Sequence, residues 1–287
     1  MKNTNLEILQ TENENLKREN QQFVQQLKQL NERLEESDAF KSHFLSNISN
    51  EIINPFTSIL GISQNILSLG ANEISQIHAM TTLIYSEAFD LDFQLRNIFA
   101  AAKIESGEIT LEVVPTHIEV FMSDILNNLR KKAEKRALVF NSDFHFSEQT
   151  FATDPEKLRM IVVNLLMNAI TFSEQKNCIQ IVATSSENGF SLSINNIGKP
   201  IPEKDLKVIF DRFKKLDTSI NSVNIGHGLG LSIIKDYLDL MKGTITVESS
   251  AEKGTTFTLV LPPLENEHDN LLMDDEMLFN SSNSELF

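Results

Sequence analysis

Two groups of residues in the second half of the chain have types and spacings suited to binding a phosphate ligand. Asn164 and Asn168 are four positions apart in an apolar run, so a helix would place both carboxamides on one face. Gly226, Gly228 and Gly230 alternate just before a predicted helix, where backbone N–H groups and the helix N-terminus can approach phosphates. Each pattern is a weak signal alone, because paired asparagines are usually solvated and alternating glycines also occur in ordinary turns.

Length and composition restrict the class of protein. A chain of 287 residues predicts two domains with extensions. The net charge of −15 argues against general binding to nucleic acid or anionic membranes and favours protein partners. The single cysteine, Cys178, excludes an internal disulfide framework and a cysteine-based zinc site. Because the sequence has no membrane-spanning run and no signal peptide, we expect a cytoplasmic protein.

Residues 1–38 predict a parallel coiled-coil connector. Apolar residues occupy the d positions of successive heptads. Asn13 and Asn20 occupy a positions, where asparagine favours two-stranded parallel pairing. The alternative is a single solvated helix. Residues 39–107 predict a helical hairpin, with helices at about 39–68 and 73–105 around a short turn. Its apolar face needs a partner, so we expect a homodimer that forms a four-helix bundle.

The composition changes at residue 108, and residues 108–263 predict an α+β domain with two layers, a sheet and helices. The predicted strands are at 109–113, 138–143, 178–184, 190–195, 244–249 and 255–261, and the predicted helices are at 118–135, 154–172 and 229–241. The tail, 264–287, has seven acidic residues and neither Lys nor Arg, so we expect it to be disordered. The alternative is that its mixed acidic and apolar segment, 271–279, docks on a partner.

The order of the motifs in this domain resembles the catalytic core of sensor histidine kinases. The segment 154–173 is similar to the N-box, 193–202 to the G1 box, 209–213 to the F-box, 226–232 to the G2 box, and 254–257 to the last family element. The resemblance covers about residues 39–262 and implies an ATP-binding domain, with ATP and Mg²⁺ as cofactors. The implied binding residues are Asn164, Asn168, Asn196, Gly198, Phe213, Gly226, Gly228, Gly230 and Thr256, with Asn168 as the Mg²⁺ ligand, a role that suits a carboxamide oxygen.

The sequence departs from the family pattern at three positions around this site. Asn196 replaces the aspartate that accepts the adenine amino group in the family, and Pro200 replaces the second glycine of the G1 box. Thr171 stands where the family has a basic residue. An amide oxygen can still accept the adenine hydrogen bond, but without the assistance of a charge. The resemblance therefore implies ATP binding that is weaker than usual.

The run Ser-Asn-Glu-Ile-Ile-Asn-Pro-Phe at 49–56 resembles the H-box, which carries the phospho-accepting histidine of the family. Asn50 occupies the acceptor position, and an amide cannot attack ATP. Glu51, the general base in the family, then has no histidine to deprotonate. Asn54 matches the residue that positions water against the phospho-aspartate of a response-regulator receiver domain. Ile53 replaces a basic residue, and His43 is more consistent with an ordinary helix position than with a substitute acceptor.

The expected function is a dimeric, ATP-binding, histidine-kinase-like protein of two-component signalling that does not autophosphorylate at position 50. One alternative is a phosphatase or ATP-gated scaffold for a response regulator. The other is a non-catalytic interaction module with a vestigial nucleotide fold. Asn50 fits either natural divergence or an engineered replacement of histidine, and the further changes at Ile53, Thr171 and Asn196 favour natural divergence.

Overall fold

A computed structural model describes residues 2–70, 73–212 and 228–264, with the side chains of 2–12 and 32–51 left aside. Three predicted features, namely Phe213, Gly226 and the acidic tail beyond residue 264, lie outside these ranges. The chain divides into two compact units, Met1–Phe93 and Gln94–Phe287. In the described ranges, no helix has both the length and the apolar character needed to cross a membrane.

The first unit is built from two long helices. Helix α1, Lys2–Ser68, runs without interruption through both the predicted coiled coil and the first predicted hairpin helix. Its heptad side chains are exposed, with Leu16 at 57% and Phe23 and Leu30 each at 60% of their full accessible area. These apolar side chains are therefore not buried by other described residues of the same chain, and two-stranded pairing remains a prediction.

Helix α2, Ile74–Ser106, follows a short turn, as predicted. The backbone N–H of Gly70 donates to the Glu73 carboxylate at 2.9 Å just before α2 begins. At the other end, Glu108 N donates to Lys103 O at 3.2 Å, and Gly107 has a φ of 71°. A left-handed glycine with this backbone bond is a common helix stop, so the predicted end of α2 at Ser106 and Gly107 is confirmed.

The described residues of the second unit form two sheets and three helices besides the end of α2. Its strands are β1 (Val114–His117), β2 (Val139–Phe146), β3 (Thr150–Thr153), β4 (Cys178–Ser186), β5 (Gly189–Asn196), β6 (Thr244–Ser250) and β7 (Gly254–Leu261). Its helices are α3 (Ile118–Lys135), α4 (Pro155–Phe172) and α5 (Gly230–Leu240), with a short 3-10 turn at Glu203–Asp205. The main sheet has the order β2-β4-β5-β7-β6, and β2 and β4 are parallel while the other pairs are antiparallel.

The predicted strand at 109–113 is wrong. The strand begins directly after this range, at Val114, and runs to His117. It pairs antiparallel with β3, which was not among the predicted strands. The backbone N–H of Glu112 instead donates to the Asp154 carboxylate at 2.9 Å, so this part of the segment is held by a side chain and not by a strand ladder. The alternation of apolar residues at 109–113 is real, but without a neighbouring strand it does not form a sheet.

Helices cover one face of the main sheet and leave the other open, which confirms the predicted α+β layers. Every second residue of the central strands is buried under α3, α4 and α5, including Ile181, Leu192 and Leu259, each at 0% exposure. The alternate residues on the open face are largely polar, with Val182 and Val260 41% and 47% exposed. Burial of one face only explains the strict period of two in these strands.

Candidate nucleotide site

Helix α4 carries both asparagines of the first motif, and Asp154 fixes where it begins. The Asp154 carboxylate accepts hydrogen bonds from the backbone N–H groups of Glu156 and Lys157 at 3.1 and 3.0 Å. It also accepts one from the Lys157 ammonium at 2.6 Å. Burial by itself raises the pKa of Asp154, but these bonds and the one from Glu112 outweigh it, so the pKa lies below its ordinary value of 3.8. The charged carboxylate thus holds α4 in place.

Replacing Asp154 with alanine is expected to lower the free energy of unfolding by about 2 kcal/mol at pH 7, the upper range for a lost helix cap. The contribution is present above the unfolded pKa of about 4 and is lost as the pH falls through the depressed folded value. Urea denaturation of both proteins at pH 7 and pH 3 measures the difference. Asp124→Ala is the matched control, because its ion pair with Arg159 is half exposed and contributes little. A difference that stays the same at low pH would contradict this account.

Asn164 is buried, and both protons of its amide nitrogen are hydrogen-bonded inside the protein. Its Nδ2 donates to Asn97 Oδ1 at 2.8 Å and to the Met160 carbonyl at 2.9 Å. Its Oδ1 lies against the start of α5, where a Cβ added to Gly230 would come within 2.5 Å of it. A side chain at position 230 would therefore displace the Asn164 carboxamide, and the two motifs that contain Asn164 and Gly230 pack directly together.

Asn168 and Asn196 differ from Asn164, because among the described residues neither carboxamide has a hydrogen-bond partner. Asn168 is half-buried on α4, and Asn196 is 5% exposed at the end of β5. Neither carboxamide is among the fully enclosed side-chain atoms that lack a partner in the described residues, so both groups are accessible to a polar ligand.

The end of β5 and the end of α4 meet at Gly198. A Cβ at this position would lie 2.0 Å from the Phe172 carbonyl oxygen, so no other residue fits without moving the backbone. Ser173 and Gly198 also form an isolated antiparallel bridge, and Glu174 N donates to Ile197 O at 2.8 Å. Gly198 therefore sets the distance between the strand that carries Asn196 and the helix that carries Asn168.

Arg136 supplies a positive charge at the end of α4 that the sequence alone did not indicate. Its guanidinium donates to the carbonyl oxygens of Ile170 at 2.6 Å, of Thr171, and of Ser173 at 3.0 Å. These bonds satisfy carbonyls that the helix end leaves without partners and place a cation at the negative end of the helix dipole. The basic residue that the family has at position 171 is absent, and this arginine is committed to the backbone beside it.

The structure places the predicted threonine on the opposite face of the sheet from Asn196. Thr256 lies on the open face, where its hydroxyl is 2.8 Å from Asn195 Nδ2. Thr255 is the residue directly across from Asn196 in the β5–β7 register, and it is 6% exposed on the helix-covered face. Its hydroxyl is 2.7 Å from the Ser249 hydroxyl. The pairing register identifies Thr255, because residues directly opposite each other on neighbouring strands lie on the same face of the sheet.

The residues of the H-box-like run at 49–56 lie in the first unit. Asn50 and Glu51 are in α1, and Asn54 follows them in the same helix with an exposed side chain. Ile53 and Phe56 are also exposed, at 55% and 54%. Asn54 and its apolar neighbours thus lie on a surface that another protein could reach.

Comparison with known protein families finds a match inside the second unit. Residues 153–265 match the family described as histidine kinase-, DNA gyrase B- and HSP90-like ATPase. This segment is therefore similar to the ATPase domains that the family groups together. It contains α4, β4, β5, α5, β6 and β7, and hence every described residue of the candidate site except Asn97 and Arg136.

Curated relatives extend the likeness beyond the matched domain. The chain is 29% identical over 229 residues to the circadian input-output histidine kinase CikA of Synechococcus elongatus, which is 79% of this chain and 30% of the relative. It is 27% identical over 230 residues to the signal transduction histidine-protein kinase BarA of Escherichia coli, which is 78% of this chain and 25% of the relative. The chain thus spans under a third of the length of either protein.

Solved structures share the fold. The full-length histidine kinase ShkA, solved in complex with AMPPNP, superposes with a TM-score of 0.56 at 21% identity, over 77% of this chain and 46% of that one. The histidine kinase ThkA, solved in complex with the response regulator protein TrrA, gives a TM-score of 0.50 at 22% identity over 80% of this chain and 64% of that one. At these identities the likeness concerns the arrangement of helices and strands.

Proposed function

We propose that this chain is an ATP-binding, dimeric signalling protein of the histidine kinase type that does not phosphorylate itself at position 50. The observation that carries the ATP-binding part is the pair of carboxamides, Asn168 and Asn196, without partners in the described residues of the ATPase-like domain. The close packing of Gly198 on α4 supports the same site, since it holds the two residues on adjoining elements.

The residues present fit a magnesium nucleotide. Asn168 offers a carboxamide oxygen, a hard ligand of the kind that Mg²⁺ accepts. Asn196 offers an oxygen to the adenine amino group, and Gly228, with a φ of 70° just before α5, places backbone N–H groups near the positive N-terminus of that helix. When bound, Mg²⁺ would neutralise phosphate charge. The site has no described cation that replaces the basic residue missing at Thr171, so we expect modest affinity.

Asn50 is the reason for proposing that autophosphorylation is lost. A carboxamide nitrogen is not a nucleophile at neutral pH, because its lone pair is delocalised into the carbonyl group. Glu51 can act as a general base only on a group that has a proton to give and becomes nucleophilic when it does. The N–H protons of the Asn50 carboxamide are too weakly acidic for a carboxylate to remove, so Glu51 cannot activate this group.

Dimerisation and pairing with a response regulator follow from the same proposal. Exposed apolar residues at heptad positions of α1, among them Leu16 and Leu30, support a two-stranded assembly. The complex of ThkA with TrrA is an example of a structural relative bound to a response regulator. Light scattering on the full chain tests dimerisation. One chain has a mass of 32.5 kDa, and we expect twice that mass. A mass of one chain at micromolar concentration would contradict it.

A second function, help in removing phosphate from a receiver domain, is favoured by the exposure of Asn54. That reaction needs a positioned water and no nucleophilic histidine. We expect the chain to shorten the lifetime of a phosphorylated partner receiver, and Asn54→Ala to remove about nine tenths of this acceleration or more. The decay of labelled phospho-receiver measures both rates. Asn65→Ala, another exposed asparagine of α1, should match the wild type; unchanged decay with Asn54→Ala would remove this function.

A melting experiment separates the nucleotide-binding proposal from the alternative of a pure interaction module. A ligand at 100 times its dissociation constant stabilises the native state by about 2.7 kcal/mol. A gain of that size raises the melting temperature of a domain of 150 to 250 residues by roughly 5–10 °C. With millimolar Mg-ATP we expect a rise that reaches this scale if the dissociation constant is about 10 μM and falls toward about 1 °C if the constant is near 1 mM. No rise at all would favour the interaction module.

A further inference from the structure

The last turns of α2 present one buried asparagine among apolar neighbours. Asn97 is 4% exposed, and Ile98, Ala100 and Ala101 beside it are 4% or less exposed. An amide in such a place is costly unless it is hydrogen-bonded. Its Oδ1 accepts the hydrogen bond from Asn164 Nδ2 at 2.8 Å, which links α2 to the helix that carries the nucleotide motif.

This bond determines which way the Asn164 carboxamide faces. The amide has two protons, and one goes to Asn97 while the other goes to the Met160 carbonyl of the same helix. With both acceptors on the nitrogen side, the oxygen must face the other way, toward Gly230 at the start of α5. Asn164 therefore joins three helices, and its orientation depends on the acceptor that α2 supplies.

We propose that Asn97 is a positioning residue of the nucleotide site: it fixes the Asn164 carboxamide, and so makes nucleotide affinity depend on the packing of the last turns of α2 against α4. The inference rests on the proposed ATP-binding function and adds to it a residue outside the matched ATPase segment. Loss of the acceptor leaves one amide proton of Asn164 buried and unpaired. The carboxamide then turns to find a partner, and its oxygen leaves the place beside Gly230.

A double-mutant cycle on the full chain tests this role. Calorimetric titration with Mg-ADP gives the dissociation constants of the wild type, Asn97→Ala, Asn164→Ala and the double variant. We expect Asn97→Ala to weaken binding about tenfold, near the lower end of the cost of an unsatisfied buried donor. In the Asn164→Ala background the same change should alter the constant less than about twofold, because the group that Asn97 positions is gone.

Two further variants separate the positioning role of Asn97 from a general effect of changing α2. Phe99→Ala alters a side chain of the same helix that is 62% exposed, and it should leave binding within about twofold of the wild type. If Asn97→Ala does not fold, Asn97→Ser replaces it, since its hydroxyl is too short to reach Asn164. Equal weakening in both backgrounds, or wild-type affinity for Asn97→Ala, would overturn the positioning role. If the wild type itself binds no Mg-ADP, the proposed function fails first; if it binds and Asn97→Ala binds equally, only the present inference fails.

Discussion

Incubation of the full chain with γ-labelled ATP and Mg²⁺ is expected to leave it free of acid-labile phosphate, whereas the Asn50→His variant becomes labelled. The imidazole restores a nucleophile at the acceptor position of the H-box-like run, and the adjacent Glu51 regains a proton to accept. The ATPase-like segment of residues 153–265 is present in both proteins. We expect the rate of labelling to differ by at least about 100-fold, since removal of a catalytic nucleophile can lower a rate by about a million-fold.

The control for this experiment is Asn50→Gln, which changes the residue without adding a nucleophile and should stay unlabelled. Strong acid-labile label on the unmodified chain would contradict the proposed loss of autophosphorylation, and His43→Ala would then show whether that histidine is the acceptor. Label in none of the proteins, while each binds nucleotide, would contradict the view that position 50 alone blocks the reaction. Ile53 and Thr171 would be the next positions to restore to basic residues.

Asn168→Ala is expected to abolish most of the magnesium-dependent binding of ATP. The side chain is half-buried on α4 and has no partner among the described residues, so its removal breaks no internal hydrogen bond. The affinity for ATP in Mg²⁺ should therefore fall roughly 100-fold. The free energy of unfolding of the nucleotide-free protein should hardly change. Titration of the variant and the wild type with ATP, in Mg²⁺ and in EDTA, measures both quantities.

The two metal conditions separate a ligand role from a general effect on the site. In EDTA the wild type and Asn168→Ala should bind ATP with nearly the same weak affinity, because no metal is there to be coordinated. Asn128→Ala, an exposed asparagine of α3 that lies outside the site, should behave as the wild type in both conditions. An equal loss with and without Mg²⁺ would contradict the assignment of Asn168 as the metal ligand.

The regular elements could be predicted from the sequence because their signals are local. The end of α2 follows from Ser106-Gly107, and the start of α4 follows from Asp154 and Pro155, a capping residue before a first-turn proline. Burial of one sheet face gives β4 and β5 their strict alternation. The error at 109–113 has a non-local cause, since only β3 and the Asp154 carboxylate decide where this segment becomes a strand.

The site shows the same division between local and non-local information. Helical spacing placed Asn164 and Asn168 on one face, but it could not show that Asn164 is committed to Asn97 and Met160. Both Arg136 and Asn97 are distant in sequence from the motifs that they support. The choice between Thr255 and Thr256 depends on the pairing register with Asn196, and a motif by itself does not fix that register.

The central claim is that a nucleotide site persists in a chain whose acceptor position holds an asparagine. Calorimetric titration of the unmodified full chain with ATP in Mg²⁺ tests it most directly. We expect saturable binding of one ATP per chain with a dissociation constant below about 1 mM, a free energy of about −4 kcal/mol or better. The affinity should fall when EDTA replaces Mg²⁺. Absence of saturable binding up to several millimolar ATP would contradict the claim.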